Sequence, residues 1–379
     1  MFVKIKKMKK KNLAVVFGAK SAEHEVSIVT VFQAYEWIDK SKYEVFLIYI
    51  DRENKAFLCP KLRKEDYKSF IEKILKQQKR IEFVKNGFLF KNKFYWKRYK
   101  LDVALLIMHG SFGEDGKIQG MFDFLNIAYT GSDVVGSALG MDKVLMKSVL
   151  KELGLPVLPY VWFYKREFRE NKKEFLAKIN KDLKYPIFVK PANAGSSVGI
   201  TRVDSNRQLV KAIDYALRFD RKVLVEQGLD NAVDINCAVM RDGEIKTTVC
   251  EQPISEDKFL SFEEKYLKGG KRKGMASLSR IMPAPIPDKV SVRIGEMTRK
   301  IFRVLGGWGM ARMDFLYQTK TGKLYPNEIN TIPGSLAYYL WGGSGVKPRE
   351  LIDKMINSAI RRQKETESLT CQFKSKILD

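Results

Sequence analysis

Arg312-Met313-Asp314-Phe315, followed by Asn327-Glu328-Ile329-Asn330, decides the reading of this chain. Both stretches fall in strand-like runs, over 309–317 and 323–329, on either side of a turn at 320–323. Side chains of a strand alternate between its two faces, so Arg312 and Asp314 share one face, and Glu328 and Asn330 likewise share a face. If the strands pair across their turn, Asp314, Glu328 and Asn330 gather hard oxygens suited to Mg²⁺ that carries phosphates. An arginine beside them suits charge developing on a transferred phosphoryl group or an oxyanion. The plain alternative is a cross-strand salt bridge on a solvated face. The tail Asn330-Thr331-Ile332-Pro333-Gly334-Ser335 argues against an ordinary surface strand.

Upstream, Phe188-Val189-Lys190-Pro191 closes a strand and runs into Ala192-Asn193-Ala194-Gly195-Ser196-Ser197-Val198-Gly199. Backbone N–H groups of such a small-residue loop suit phosphate, with the lysine as a point charge; an ordinary Gly/Ser hairpin is the alternative. Neither a Walker loop nor a helix-opening G-x-G-x-x-G accompanies it. Near the N-terminus, Ser21-Ala22-Glu23-His24-Glu25-Val26-Ser27 sits where a first strand (13–17) gives way to a helix (28–38). That position suits helix capping, and in a doubly wound sheet it is also where ligands bind; Glu23 is suited to hold an ammonium group there. His109-Gly110-Ser111-Phe112-Gly113-Glu114-Asp115-Gly116 follows another strand, 103–108.

Strands and helices alternate along the rest of the chain, which predicts an α/β (α+β) protein. Further strands are expected at 43–50, 187–190, 199–203, 222–226, 234–240 and 246–252, and a hairpin over 83–96 turning at Asn86-Gly87 and again near Asn92. Helices are expected over 142–153, 206–219, 288–305 and from Pro348 toward Arg362. The polar stretch 256–276 is too long for a plain connection and reads as a functional loop.

The 379 residues are 45% apolar and 30% charged, ample for several cored domains. No apolar run reaches the roughly 20 residues of a membrane-spanning helix, and the run behind the lysine-rich start is too short for a signal peptide. The expectation is a cytoplasmic protein with no membrane association. The four cysteines show no metal-like spacing and read as reduced thiols. Lys+Arg exceed Asp+Glu by 25, but no nucleic-acid module accompanies the excess. A lysine-rich solvated surface is the simpler reading.

Taken in order, the motifs resemble the D-alanine–D-alanine ligases of the ATP-grasp superfamily across about residues 12–360. Tyr129-Thr130-Gly131-Ser132, Met141-Asp142-Lys143, Lys265-Tyr266 and Thr331 complete the set. The resemblance implies a three-domain ATP-grasp architecture with an N-terminal doubly wound parallel sheet. Its parts are a substrate-binding domain (1–140), a small central domain (141–228), a metal-bearing domain with an ω-loop (229–365) and a polar tail (366–379). It implies ATP between the second and third parts. Lys143 and Lys190 touch its phosphates, Lys265 reaches the γ-phosphate, Ser197 belongs to the nucleotide loop, and Glu226, Leu229 and Asp234 meet the adenine and ribose. Asp234 stands where the family usually has Glu. Asp314, Glu328 and Asn330 match the ligands of two Mg²⁺ ions, for which Mn²⁺ is a substitute.

The implied chemistry is carboxylate activation, giving D-alanyl-D-alanine through a D-alanyl phosphate, for peptidoglycan precursors. Arg312 is expected at the oxyanion or acyl phosphate, Glu23 and His109 at the first D-alanine, and Ser335-Leu336 at the second. Tyr266 is expected to join Ser196 and Glu23 in closing the site, and it favours D-alanine as acceptor. Ala19 replaces a usual glycine, Asn193 falls in a loop that varies within the family, and the segment after Gly334 is shorter than in many members. The Lys-rich stretch 61–98 has no counterpart among the motifs. Family members are commonly homodimers, so a homodimer is expected. The competing readings are an ATP-grasp ligase with D-serine or D-lactate as acceptor, and a basic nucleotide- or nucleic-acid-binding protein without catalysis.

Overall fold

The computed structural model describes residues 9–62, 67–77, 79–91, 95–254 and 279–370. Its first sheet comprises β1 (Lys11–Gly18), β2 (Tyr43–Ile50), β3 (Ala56–Leu58), β4 (Arg80–Val84), β5 (Gly87–Lys91), β6 (Trp96–Lys100) and β7 (Val103–Ile107), in the order β6-β5-β4-β3-β2-β1-β7. β1 lies parallel to β2 and β7 and is buried from Leu13 to Gly18, as expected of a strand covered on both faces. The helix His24–Trp37 packs against it. That helix begins four residues before the expected 28–38, because its polar first turn is enclosed at the sheet end instead of solvated.

Antiparallel strands β3–β6 extend the parallel centre, β4 and β5 lying within the lysine-rich stretch and β6 at its end. Asn86 takes the left-handed turn conformation (φ +62°). Gly87 is already in β5, and a Cβ there would strike the Tyr99 backbone of β6. The turn therefore sits one residue earlier than Asn86-Gly87 suggests. The second bend expected near Asn92 lies outside the described residues, as does the stretch 256–276.

The second sheet is wholly antiparallel: β8 (Tyr160–Tyr164), β9 (Ile187–Pro191), β10 (Thr201–Val203) and β11 (Lys222–Gln227), in the order β10-β9-β11-β8. The helix Lys143–Glu152 leads into it and is capped by Asp142, whose carboxylate accepts from the N–H groups of Val144 and Leu145. Later strands are β12 (Ala232–Asp242), β13 (Glu244–Thr247), β14 (Gln252–Pro253), β15 (Arg280–Ile281), β16 (Met310–Gln318) and β17 (Lys323–Asn330). A third antiparallel sheet runs β13-β12-β16-β17, and among the described residues β14 pairs only with β15. The helix Asp288–Val304 covers the third sheet through Val290, Ile294, Met297 and Ile301.

Separate apolar cores lie under the second and third sheets. The core of the first sheet also takes in Leu336, Leu340 and the buried face of the last helix, Pro348–Glu367, through Leu351, Ile352, Met355 and Ile356. The helix Pro348–Glu367 thus packs on the sheet that holds β1. Among the described residues, no helix is long and apolar enough to cross a membrane.

Candidate active site

β16 and β17 pair in register, with Arg312 opposite Asn330 and Asp314 opposite Glu328, and a bulge follows Asp314. Arg312 forks onto the Asp314 carboxylate, Nε to Oδ1 at 2.6 Å and Nη2 to Oδ2 at 2.7 Å. The Asn330 amide donates to Asp314 Oδ2 at 3.1 Å. Arg312 is 5% exposed and Asp314 8%, so the solvated salt bridge of the plain alternative is absent. Burial works against the Arg312 charge, but Asp314 outweighs it and keeps the guanidinium protonated. Among the described residues no cluster of three His, Cys, Asp or Glu is placed for a metal. Two carboxylates and an amide on adjoining strands are the set present, and hard oxygens of that kind fit Mg²⁺.

The strand pair forms one wall of a cleft of about 150 Å³. Asp234, Arg312, Asp314 and Glu328 come from the third sheet, while Lys190, Ser197, Glu226 and Leu229 face them from the second sheet and its loops. At the inner end of the second-sheet wall, Glu226 is buried and ion-paired to Lys190 at 2.6 Å and to Lys147. Burial alone would raise the Glu226 pKa, yet the two ammonium groups hold it down to about 2. Two cations on one carboxylate leave a surplus positive charge, which suits a polyanion.

A smaller cavity adjoins the cleft, lined by Glu114, Lys143, Gly195, Glu328 and Asn330, so Glu328 belongs to both. Lys143 donates to the Ala194 carbonyl at 2.6 Å and lies 3.9 Å from Glu328. Beyond Gly195, Ser196 donates to Glu23. Glu23 packs so tightly that a Cβ on Gly195 would lie 2.5 Å from its Oε2, and one on Gly110 would also collide with it. The loops of 18–27, 109–116 and 191–199, distant in sequence, thus meet around one carboxylate.

His109 is fully enclosed, with Nδ1 2.8 Å from the Ile332 carbonyl and Nε2 3.0 Å from the Thr30 hydroxyl. Burial lowers its pKa to about 4, so the ring is neutral near pH 7. Glu114 accepts from the backbone N–H groups of Gly110 at 2.9 Å and Ile332 at 2.7 Å. Burial, aided by the Glu23 charge, raises it to about 8. His109 and Glu114 both tether the 332 segment to the first sheet. Ser335 and Leu336 are enclosed, and neither lines the cleft. Lys265 and Tyr266 lie outside the described residues.

Backbone strain marks the same loops. Among the described non-glycine residues with positive φ, four are asparagines at turns. The others are Ala19, Phe112, Ser196, Ser197, Ser335, Leu336 and Ala337, all in or within two residues of the four motif segments. Such conformations cost about 1–3 kcal/mol each and persist where the surroundings enforce them, often at ligand sites. Ala19, in place of a usual glycine, holds φ +80° and donates its N–H to Ile50 O at 2.6 Å.

Sequence reasoning missed Lys147, Glu114, Glu251, Arg280 and Tyr339. Lys147 lies one helical turn past Lys143, a spacing that signals a shared face. Glu114 stood inside a quoted motif. The other three carry no local signal: Tyr339 reaches Arg312 from a helix, and Arg280 and Glu251 stand behind it, an assembly made only by the tertiary fold.

The sequence pattern described as D-ala D-ala ligase N-terminus matches residues 12–132, and that described as D-ala D-ala ligase C-terminus matches residues 149–357. The chain belongs to the D-alanine–D-alanine ligase family. It is 40% identical over 357 residues to the D-alanine–D-alanine ligase of Thermosipho melanesiensis, covering 93% of this chain and 95% of that one. Among solved structures, the D-alanine–D-alanine ligase of Coxiella burnetii superposes with a TM-score of 0.78 at 26% identity, over 95% of this chain and 97% of that one. The VanG D-Ala:D-Ser ligase of Enterococcus faecalis gives 0.77 at 28% identity, over 93% and 100%. Both structural members of the family share the ATP-grasp fold with this chain.

Proposed function

We propose that this enzyme joins two D-alanines into D-alanyl-D-alanine with ATP as the energy source, supplying peptidoglycan precursors. The observation that carries the reading is the buried Arg312–Asp314 pair, joined by the Asn330 amide, facing Lys190 and Glu226 across one cleft. The carboxylate of the first D-alanine attacks the γ-phosphorus of ATP, releasing ADP and leaving a D-alanyl phosphate. The amine of the second D-alanine attacks the acyl carbon, and collapse of the tetrahedral adduct expels phosphate.

Glu23, fixed between Gly110 and Gly195, receives the first substrate's ammonium, and His109 and Ser196 shape that pocket. Lys143 and Lys190 face the nucleotide phosphates with Ser197, while Glu226, Leu229 and Asp234 form the nucleoside end. Arg312, charged and clamped, meets the oxyanion. Asp314, Glu328 and Asn330 are the residues that would hold two Mg²⁺ ions, or Mn²⁺. When bound, the metal neutralises phosphate charge and acts as a Lewis acid. The same reading gives Lys265 to the γ-phosphate and Tyr266 to acceptor choice, both outside the described residues, and Ser335 and Leu336 to the second D-alanine. The division into parts 1–140, 141–228 and 229–365, with a polar tail from 366, a homodimeric state and a cytoplasmic location belong to the same reading.

A coupled assay of phosphate release with ATP, Mg²⁺ and D-alanine tests it, with mass spectrometry of the product. D-alanine-dependent release with the dipeptide as product is expected. Release that ignores D-alanine overturns the reading. Release that needs D-serine or D-lactate reassigns the acceptor and with it Tyr266. Neither this acceptor change nor binding without catalysis is favoured: the curated relatives are named as D-alanine–D-alanine ligases, and the intact Arg312 cluster speaks against binding without catalysis.

A further inference from the structure

Arg312 is gripped on two sides. Asp314 takes Nε and Nη2, and on the other side Nη1 donates to the Tyr339 hydroxyl at 3.2 Å. The grip continues away from the cleft. The Arg280 guanidinium lies 3.7 Å from the centroid of the Tyr339 ring. Arg280 Nη1 donates to Glu251 Oε2 at 2.7 Å, and the Asn236 amide donates to Glu251 Oε1 at 3.0 Å. Asn236 lies opposite Asp314 in the β12–β16 register and lines the cleft, so the chain of contacts leads back to the strand pair that carries Arg312 and Asp314. Glu251 is wholly buried, and Arg312 and Tyr339 nearly so.

An ion pair that merely ties β14 and β15 to the third sheet would not need to reach Arg312. Burying a carboxylate and two guanidiniums is costly unless each is fully hydrogen-bonded, and such groups are poor sources of stability. Their arrangement does, however, fix a guanidinium. Asp314 is also a ligand in the proposed reaction, so it has to share its oxygens between Arg312 and a cation. Tyr339 has no such second duty. We propose that Tyr339, backed by Arg280 and Glu251, is the positioning residue that keeps Arg312 aimed at the oxyanion once Asp314 is engaged elsewhere. This rests on the ligase reading above. It also gives the segment after Gly334 a part in the chemistry through Tyr339, beyond the enclosed Ser335 and Leu336.

The test uses the full-length enzyme with ATP, Mg²⁺ and D-alanine, comparing Tyr339→Phe, Arg280→Lys and the double variant. Tyr339→Phe keeps the ring, its packing and the Arg280 stack, and deletes only the hydroxyl. The expected result is a kcat lowered ten- to a hundredfold, with KM for ATP within twofold and thermal unfolding within about two degrees of the parent. Arg280→Lys keeps the charge facing Glu251 and loses the flat stack, so kcat falls several-fold. Two residues acting through one guanidinium give losses that do not multiply, and the double variant falls little below Tyr339→Phe. A parent-like kcat in Tyr339→Phe overturns the proposal. Losses that multiply, or that track falling unfolding temperatures, reduce the chain of contacts to a structural tie. Should the parent itself show no D-alanine-dependent turnover, the failure lies with the ligase reading, which that control isolates.

Discussion

Glu226 carries the sharpest consequence at the scale of one residue. Its carboxyl titrates near 2 when folded, against 4.5 for an ordinary glutamate. Between those values the unfolded chain takes up the proton first. The stabilisation is therefore complete above about pH 5 and is lost as the pH falls toward 2, a span worth about 3 kcal/mol. Glu226→Gln leaves Lys147 and Lys190 without their anion. It is expected to lower unfolding free energy at pH 7 by about 3–5 kcal/mol, with a gap that narrows in acid. Urea unfolding from pH 2 to 8 reads this directly, and a gap independent of pH speaks against the pairing. Glu328→Gln acts differently, because Glu328 is half-buried at the junction of two cavities, outside the core. Turnover should fall at least a hundredfold while the unfolding temperature stays within a few degrees; near-normal activity would remove Glu328 from the metal site.

At the scale of elements, glycines set the distance between loops. Gly195 lets the 191–199 loop come against Glu23, and an added Cβ would meet Oε2 at 2.5 Å. In Gly195→Ala the carboxylate has to move, so KM for the first D-alanine is expected to rise about tenfold or more, with KM for ATP little changed. Substrate titrations at fixed ATP decide it. These loops also show how far sequence reading reached. Strand alternation and the 320–323 turn were enough to bring Arg312, Asp314, Glu328 and Asn330 together, because pairing across a short turn is local. Glu23, His109 and Lys190 were recognisable as motif residues, but no spacing tells that Glu23 lies between Gly110 and Gly195. The Lys-rich stretch had no assigned role in the sequence, and its helix Tyr67–Gln77 went unread. Its place as an antiparallel extension depends on which edge of the first sheet is open, a tertiary fact. Tyr339 and Arg280 were invisible for the same reason.

For the whole molecule, contacts between distant parts rest on bare backbone. Gly309, at φ +69°, lies against Gly131, where a Cβ would stand 2.5 Å from the Gly131 Cα. Gly309→Ala combines a left-handed strain with a backbone collision, and a loss of about 2–4 kcal/mol is expected in denaturant unfolding. An unchanged midpoint would mean that the two halves can separate there at no cost. Nearby, Arg362 of the last helix donates to the Gly131 carbonyl at 2.8 Å and the Tyr129 carbonyl at 2.9 Å, with its guanidinium 4.0 Å from the centroid of the Tyr129 ring.

That return of the last helix to the opening sheet has a bearing on synthesis. A ribosome delivers β1 and β7 hundreds of residues before Leu351, Ile352 and Ile356 emerge to cover them. Until those residues emerge, the nascent N-terminal half shows an apolar face that its own sequence cannot yet hide, and chains cut short of Leu351 are expected to be degraded faster than the full chain.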